Sequence, residues 1–167
     1  WWNLLFPYEL WSQMIPPPEP FVVDEVEPND TPAQANAIEI GDTLGAQITP
    51  ACDFDQFKLT LDSPAHFVMN TYGVDGATAD VVVELIDCAT EVRIACDDEG
   101  GDPFGNAMMD GCLPAGEFCF VVRAWLDSNT FDYQIELTGG ESCAPTDPPT
   151  VIGDGAWGCV GDFYDCI

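Results

Sequence analysis

Short runs in which apolar and polar residues alternate recur through the middle of the chain. The clearest is residues 131–137, FDYQIEL, whose odd positions are apolar and whose even positions are polar. A period of two places the apolar side chains on one face, which is typical of a half-buried β-strand. Residues 57–61 and 91–94 alternate in the same way. The sequence therefore predicts at least three half-buried strands.

Two further runs, Val81 to Ile86 and Phe118 to Val122, are almost continuously apolar, as expected of central strands. Residues 43–48 and 66–72 are weaker strand candidates. The total is about seven or eight strands in about 115 residues, which is the strand density of an antiparallel sandwich or barrel. The sequence therefore predicts an all-β fold, and we expect an antiparallel β-sandwich.

The two ends of the chain differ from this middle part. Residues 1–15 are aromatic and apolar, and residues 16–20, PPPEP, predict an extended polyproline spacer. Residues 143–149 have the composition of a linker, and the tail beyond them mixes Gly, Asp, aromatics and two cysteines. We therefore expect an arm with its spacer (1–20), a β-domain (21–140) and a C-terminal extension (141–167).

The charge of the chain excludes several kinds of partner. Its 167 residues include 30 Asp and Glu but 3 Lys and Arg, so the formal net charge is −27. Nucleic acids and anionic membrane surfaces are bound through clustered Lys and Arg, so neither is an expected partner. No apolar run is long enough to predict a transmembrane helix. The acidity itself fits either a saline habitat or simple solubility.

The cysteines indicate a disulfide framework. Their number is even, no Cys-x-x-Cys occurs, and the single histidine, His66, leaves no basis for a mixed Cys/His metal site. Such a framework is typical of an exported protein, and we expect a secreted or cell-surface location. Residue 1 is Trp, which suggests that a signal peptide has been removed. The pairs we expect are Cys88–Cys96 across a hairpin and Cys159–Cys166 in the tail. The other four cysteines leave three possible pairings, one of which joins Cys112 to Cys119 across a turn and Cys52 to Cys143 between the ends of the domain.

Four motifs in a fixed order resemble one known family. They are residues 25–35 (EVEPNDTPAQA), 53–59 (DFDQFKL), 95–101 (ACDDEGG) and 113–118 (LPAGEF). Together they resemble the bacterial pre-peptidase C-terminal domain over about residues 24–139. The resemblance implies a small antiparallel β-sandwich of jelly-roll type, appended to secreted proteases or other surface proteins. The collagen-binding domains of clostridial collagenases are similar, and a branch of the family carries a disulfide near Cys88 and Cys96.

The first two motifs crowd oxygen-bearing side chains into a short stretch. Hard cations such as Ca²⁺ take about six to eight oxygen ligands in flexible geometry, so these residues are candidate calcium ligands. In the collagen-binding relatives the matching positions hold calcium, and the resemblance implies the same here. The alternative is that Asn29 or Asp30 caps a short helical turn and the acids are solvated. The predicted ligands are Glu25, Glu27, Asn29, Asp30, Asp53 and Asp55.

Two lesser sites are suggested by the same stretches of sequence. The loop of residues 97–102, DDEGGD, is either a second cation site or a solvated turn. Residues 29–31 form a formal N-glycosylation acceptor, which we expect to be coincidental because a calcium ligand cannot easily carry a glycan. Catalysis is not expected. His66 stands alone in a predicted strand, and no nucleophile elbow, zinc-protease motif or phosphate loop is present.

The aromatic arm needs a surface on which to pack, because a free tail of this kind would aggregate. It either folds back on its own domain or docks on a neighbouring subunit, and a head-to-tail exchange of arms builds filaments. We therefore expect a non-enzymatic, calcium-stabilised assembly subunit that forms homo-oligomers or binds other extracellular subunits. The alternative is an accessory module of a secreted enzyme that binds its substrate or a matrix. The predicted subunit contacts are Trp1, Trp2, Leu4, Leu5, Phe6, Tyr8, Leu10 and Trp11.

Overall fold

The computed structural model describes residues 22–74, 79–101, 106–126, 128–146 and 148–153. These residues form ten β-strands and no helix longer than a single turn. The strands are β1 (Asn36–Ala37), β2 (Thr43–Ile48), β3 (Phe54–Leu61), β4 (Ala65–Gly73), β5 (Val81–Asp87), β6 (Arg93–Asp97), β7 (Met108–Leu113), β8 (Gly116–Ala124), β9 (Phe131–Ser142) and β10 (Val151–Gly153).

The strands divide into two five-stranded sheets. The first sheet has the order β1-β3-β8-β5-β6, and the second has the order β10-β7-β4-β9-β2. Every pairing is antiparallel except that of the two-residue β1, which runs parallel to β3 with Asn36 beside Phe57. The predicted all-β antiparallel sandwich is therefore confirmed.

The core lies between the two sheets. Alternate residues of each strand point inward, so the apolar positions of β9 (Tyr133, Ile135 and Leu137) are fully buried. Phe67 of the second sheet and Phe120 of the first meet across the interface, with ring centroids 5.8 Å apart and planes inclined at 57°. Contacts between rings in this orientation add to the stabilisation from burial alone. The alternating pattern in the sequence thus becomes one continuous apolar layer.

The predicted strands occur where the pattern placed them apart from Val92, and three strands of the structure, β1, β7 and β10, were not predicted. β7 was not predicted, because its sequence MMDGCL contains Asp and Gly, which have low strand propensity. β10 lies in the extension just beyond the predicted linker and pairs with β7. Val92 was expected on a half-buried strand but lies before β6 and is 62% exposed. A turn forms at residues 32–34, but the Asn29 side chain lies against Glu25 and Asn36 instead of capping it.

The disulfide pairs differ from the predicted ones. Cys88 pairs with Cys119, and Cys112 pairs with Cys143, with Cα atoms 5.3 Å and 6.0 Å apart. The predicted pairs Cys88–Cys96, Cys112–Cys119 and Cys52–Cys143 are therefore wrong. Cys52 and Cys96 are also disulfide-bonded, and the predicted Cys159–Cys166 pair lies outside the described residues.

The register of the sheets explains these corrections. Cys96 lies opposite Glu84, four residues from Cys88 and thus about 13 Å away along the strand, too far for a bridge. Cys112 is on β7 of the second sheet and Cys119 on β8 of the first, and packed sheets are about 10 Å apart. Each observed bridge instead lies within a single sheet: Cys88, directly after β5, is joined to Cys119 of β8, and Cys143, directly after β9, is joined to Cys112 of β7. These bridges indicate an oxidising compartment, and the protein is an exported one.

Among the described residues, no helix is long and apolar enough to cross a membrane.

Replacing Phe67 by Ala should destabilise the fold by about 3–5 kcal/mol, because it removes a ring buried between the sheets and leaves a cavity. The matched control is Leu126→Ala, since Leu126 is 54% exposed and should contribute within about 0.5 kcal/mol. Urea unfolding of both variants under non-reducing conditions measures the difference. Similar losses in the two variants would contradict the packing described above.

Candidate metal centre

An acidic segment, residues 24–30, crosses from β2, the edge strand of the second sheet, to β3 of the first sheet. At its start, the backbone N–H groups of Asp24 and Glu25 donate to the Gly45 carbonyl of β2 at 2.8 and 3.3 Å. At its end, the carbonyls of Asn29 and Asp30 accept from the backbone and side-chain nitrogens of Gln56 in β3 at 3.1 and 2.9 Å. The acidic segment is therefore held by both sheets.

Three carboxylates converge where this segment meets β3. One oxygen from each of Glu25, Glu27 and Asp55 lies within 4.8 Å of the others. Asp55 is fully buried, Glu25 is half-buried and Glu27 is exposed, so the cluster opens from the sandwich interior toward solvent. We call these three carboxylates the metal centre.

Each carboxylate of the metal centre is held in place by a further hydrogen bond. The Gln47 backbone N–H donates to Glu25 Oε1 at 2.6 Å, and the Asn29 backbone N–H donates to Glu27 Oε2 at 2.9 Å. The buried Tyr133 hydroxyl donates to Asp55 Oδ2 at 2.6 Å. Each of these donors occupies one oxygen of its carboxylate, and further side-chain hydrogen bonds join Asn29 to Glu25 and Glu27 to Asp55.

The metal centre brings negatively charged groups together in a partly buried site. Burial, together with the charges of Glu25, Asp53 and Glu27, raises the pKa of Asp55 to about 9 against the opposing hydrogen bond from Tyr133. Burial also raises the pKa of Glu25 to about 7 and that of Glu27 above its usual value. Without a cation the cluster therefore retains protons near neutral pH.

The donor set suits a hard divalent cation. All the converging atoms are carboxylate oxygens, the ligands that Ca²⁺ prefers, and bound Ca²⁺ would supply the positive charge that relieves their mutual repulsion. The Asn29 amide completes the surroundings. In one orientation of this amide, its nitrogen lies 3.4 Å from Glu25 Oε2. When the amide is turned by 180°, the nitrogen lies 3.2 Å from Glu27 Oε2 and the oxygen accepts from Asn36 Nδ2 at 3.0 Å. The residues present therefore fit calcium.

The other predicted ligands are used differently. Both oxygens of Asp53 accept backbone N–H bonds, from Thr49 at 2.8 Å and Phe54 at 3.1 Å, so this carboxylate closes the β2–β3 turn. Asp30 has an exposed side chain and contributes its carbonyl to Gln56. Asn29 is fully buried, so its side chain is closed to a glycan in the folded protein.

Tyr133 was not predicted as part of the centre. The alternation of residues 131–137 already placed it on the inward face, and a buried phenol normally finds a hydrogen-bond partner. Its partner, Asp55, is 78 residues away in the sequence and on the opposite sheet. Only the pairing of the two sheets reveals that contact.

His66 has a structural position on the outer face of the second sheet. Its Nε2 lies 2.8 Å from Asp110 Oδ1 of β7, and its Nδ1 lies 3.6 Å from Glu141 Oε2 of β9. The hydrogen bond to Asp110 raises the pKa of His66, with further contributions from the charges of Asp110 and Glu141. The imidazole therefore links three neighbouring strands.

The predicted subunit contacts of the arm, Trp1, Trp2, Leu4, Leu5, Phe6, Tyr8, Leu10 and Trp11, lie outside the described residues.

Comparison with known proteins identifies the fold. The structure is similar to the pre-peptidase C-terminal domain of a collagenase from Bacillus anthracis, with a TM-score of 0.52 and 13% sequence identity over 68% of this chain and all of that one. It is also similar, with a TM-score of 0.46 and 12% identity over 63% of this chain and 96% of that one, to PliG of Aeromonas hydrophila, a periplasmic inhibitor of g-type lysozyme. No family model and no curated protein matches the sequence. The predicted resemblance to the pre-peptidase C-terminal domain is confirmed at the level of the fold.

Replacing Tyr133 by Phe should reduce the free energy of unfolding by about 1–3 kcal/mol, because buried Asp55 loses its donor. The control is Tyr72→Phe, whose hydroxyl donates to Glu136 at 3.0 Å on the half-buried outer face. This second change should have an effect within about 0.5 kcal/mol. Urea unfolding in excess chelator compares the two variants, and equal losses would show that the inter-sheet bond has no special weight.

Replacing His66 by Gln should destabilise the protein in mild acid only. Because the pKa of His66 is raised in the folded state, the charged imidazole stabilises the fold fully below about pH 6.5, its ordinary pKa. That contribution is lost as pH rises through the raised pKa. The difference should stay below about 1 kcal/mol because the site is partly exposed. Urea unfolding of both proteins across this range tests the sign, and a difference that grows with pH would contradict it.

Proposed function

We propose that this protein is a non-catalytic accessory module of an exported enzyme and that Ca²⁺ stabilises it at the metal centre. The observation that carries the proposal is its fold, which matches the whole of a domain appended to a collagenase. The sequence motifs that resemble the pre-peptidase C-terminal domain support the same assignment. The alternative that we derived from the sequence is therefore preferred over the assembly subunit.

The role proposed for calcium follows from where the carboxylates lie. Glu25 and Glu27 belong to the acidic segment, whereas Asp55 belongs to β3 of the first sheet. Glu25 is also bonded to Gln47 in β2 of the second sheet, so an ion at the centre would tie the segment to both sheets. The ion would supply the charge that the carboxylates lack, and the module would gain stability outside the cell, where calcium is abundant.

The assembly-subunit hypothesis depends on the aromatic arm, which lies outside the described residues. It stays a prediction, together with homo-oligomers and other extracellular subunits as partners. Light scattering of the non-reduced protein in Ca²⁺ and in chelator separates the two functions. A monomer in both conditions supports an accessory module, whereas large particles that disappear on truncation of residues 1–20 support the assembly subunit.

Calcium should raise the midpoint of thermal unfolding, and by less in Glu25→Gln than in the wild type.

In chelator the stability should fall as pH rises from about 4 to about 9, because the raised pKa values of Glu25 and Asp55 make the folded state lose stability as these groups ionise. Calcium should reduce that fall and release protons on binding. Calorimetry in two buffers of different ionisation enthalpy measures the release. The control is Asp62→Asn, an exposed acid away from the centre. An equal response of Glu25→Gln and wild type would contradict the assignment.

An accessory module should attach its enzyme to an insoluble substrate. Co-sedimentation of the whole chain with fibrous collagen, and separately with insoluble polysaccharides, tests this role in the presence and absence of Ca²⁺. Retention by one class of fibre, reduced in chelator, is the expected result. If no fibre retains the protein and it is a large assembly in solution, the accessory role is wrong.

A further inference from the structure

Two bridged cysteines of the first sheet have partners that the pairing of the strands does not supply. Cys52 lies just before β3, and Cys96 is on β6. Both are disulfide-bonded, and the chain has no free cysteine. Four of the other six cysteines form the two bridges described above. Cys52 and Cys96 are therefore bonded either to each other or to the two cysteines that remain, Cys159 and Cys166.

The register of the first sheet excludes a bridge between Cys52 and Cys96. From Cys96 on β6, one row of residues crosses β5 and β8 and reaches β3 at Gln56. Three strand intervals give roughly 14 Å across the sheet, and the four residues from Gln56 back to Cys52 add about 13 Å along β3. The two cysteines are thus roughly 20 Å apart, whereas a disulfide joins Cα atoms less than about 7 Å apart.

The outer face of the first sheet is more deeply buried than that of the second. Val82 and Arg123 lie opposite each other and are 0% and 8% exposed. Their neighbours Val83 and Val122 belong to the core, so the side chains of Val82 and Arg123 point outward. On the second sheet, the outward residues of β4, β7 and β9 are all half-buried or exposed. Burial of the outward Val82 and Arg123 therefore indicates a further layer of chain over the first sheet.

The charge of this face suits an acidic segment. The three basic residues of the chain, Lys58, Arg93 and Arg123, all point outward from the first sheet, around the apolar Val82. Residues 160–165, VGDFYD, lie between the two remaining cysteines and contain two acids, two aromatics and a valine. Acidic and apolar side chains complement a face of this kind.

β10 brings the chain to the right edge of the first sheet. It lies against β6, which is the edge strand next to the face just described. Gly153, the last residue of β10, is opposite Met109. The N–H of the preceding residue, Met108, donates to Asp97 Oδ2 at 2.8 Å, and Asp97 directly follows Cys96. The C-terminal tail, residues 154–167, therefore begins close to Cys96.

The spacing of the tail cysteines matches the distances they have to cover. The six residues from 154 to 159 reach at most about 20–22 Å, which is ample to bring Cys159 from the end of β10 to Cys96. The next seven residues reach at most about 23–25 Å, which spans the roughly 20 Å from Cys96 to Cys52. The same order along the chain places Cys166 at Cys52.

We propose that the tail crosses the outer face of the first sheet and is fixed there by the bridges Cys96–Cys159 and Cys52–Cys166. These pairs replace the Cys159–Cys166 bridge that the sequence predicts. The tail then occupies the basic face on which an anionic partner would otherwise bind. Each bridge forms by exchange with an oxidant disulfide of the export compartment, which takes up two electrons and the two thiol protons and leaves as two thiols. None of this depends on calcium at the metal centre.

Disulfide mapping of the whole, non-reduced protein by mass spectrometry is the direct test. Cleavage before aspartate and after arginine separates the four cysteines into the fragments 42–52, 94–96, 154–161 and 165–167. The expected result is 94–96 linked to 154–161, and 42–52 linked to 165–167. A link between 154–161 and 165–167, or between 42–52 and 94–96, would overturn the proposal.

Modification of arginine by phenylglyoxal tests the covering of the face separately. In the wild type, Arg123 should react much more slowly than Arg93, whose side chain is 49% exposed and serves as the internal control. Releasing the tail should make Arg123 react several-fold faster and leave Arg93 unchanged. The variant is the full chain with four substitutions, Cys52→Ser, Cys96→Ser, Cys159→Ser and Cys166→Ser.

Circular dichroism shows whether this variant keeps its sheets, and the mapping of the wild type decides the bridges if it does not. An unchanged rate at Arg123 in a folded variant would show that something other than the bridged tail covers the face.

Discussion

The shortage of basic side chains is the constraint on which the rest of this structure depends. Three Lys and Arg cannot neutralise 30 Asp and Glu, and all three lie on strands of the first sheet, as Lys58, Arg93 and Arg123. Lys58 lies 4.0 Å from Glu117 and Arg93 lies 3.5 Å from Glu84, and both of these ion pairs are long and partly exposed. Such pairs contribute little. The fold must therefore hold its carboxylates by other means.

Backbone N–H groups take over this task at strand ends and turns. Asp53 accepts two of them at the β2–β3 turn, and Asp97 accepts two at the end of β6. Asp87 accepts from the N–H groups of Ala89 and Thr90 and from the Thr90 hydroxyl, and these bonds lower its pKa. Asp24 and Glu25 likewise cover N–H groups along the outer edge of β2, which leaves that edge less open to pairing with another chain.

Asp55 departs from this rule, because its hydrogen-bond donor is the Tyr133 hydroxyl and not a backbone N–H. Burial raises the pKa of Asp55, and the charges of Glu25, Asp53 and Glu27 act in the same direction. Calcium at the metal centre would supply the positive charge that these carboxylates lack. Stability and function are then linked, because the ion would fix the acidic segment through which the domain continues toward its N-terminus.

The sequence alone determined most of the strands, the sandwich and the oxygen-rich composition of the metal centre. These follow from local patterns, namely a period of two in residues such as 131–137 and the density of acids in residues 25–30. Tertiary structure decided which side chains meet. Register placed Cys119 rather than Cys96 beside Cys88, and the packing of two sheets brought Tyr133 to Asp55. Tertiary structure also directs the Asp53 carboxylate to the backbone of the β2–β3 turn, whereas the carboxylates of Glu25, Glu27 and Asp55 converge. The reason is physical: alternation specifies which face a side chain occupies, whereas its neighbour on that face depends on strand order and register, which arise from contacts across the whole chain.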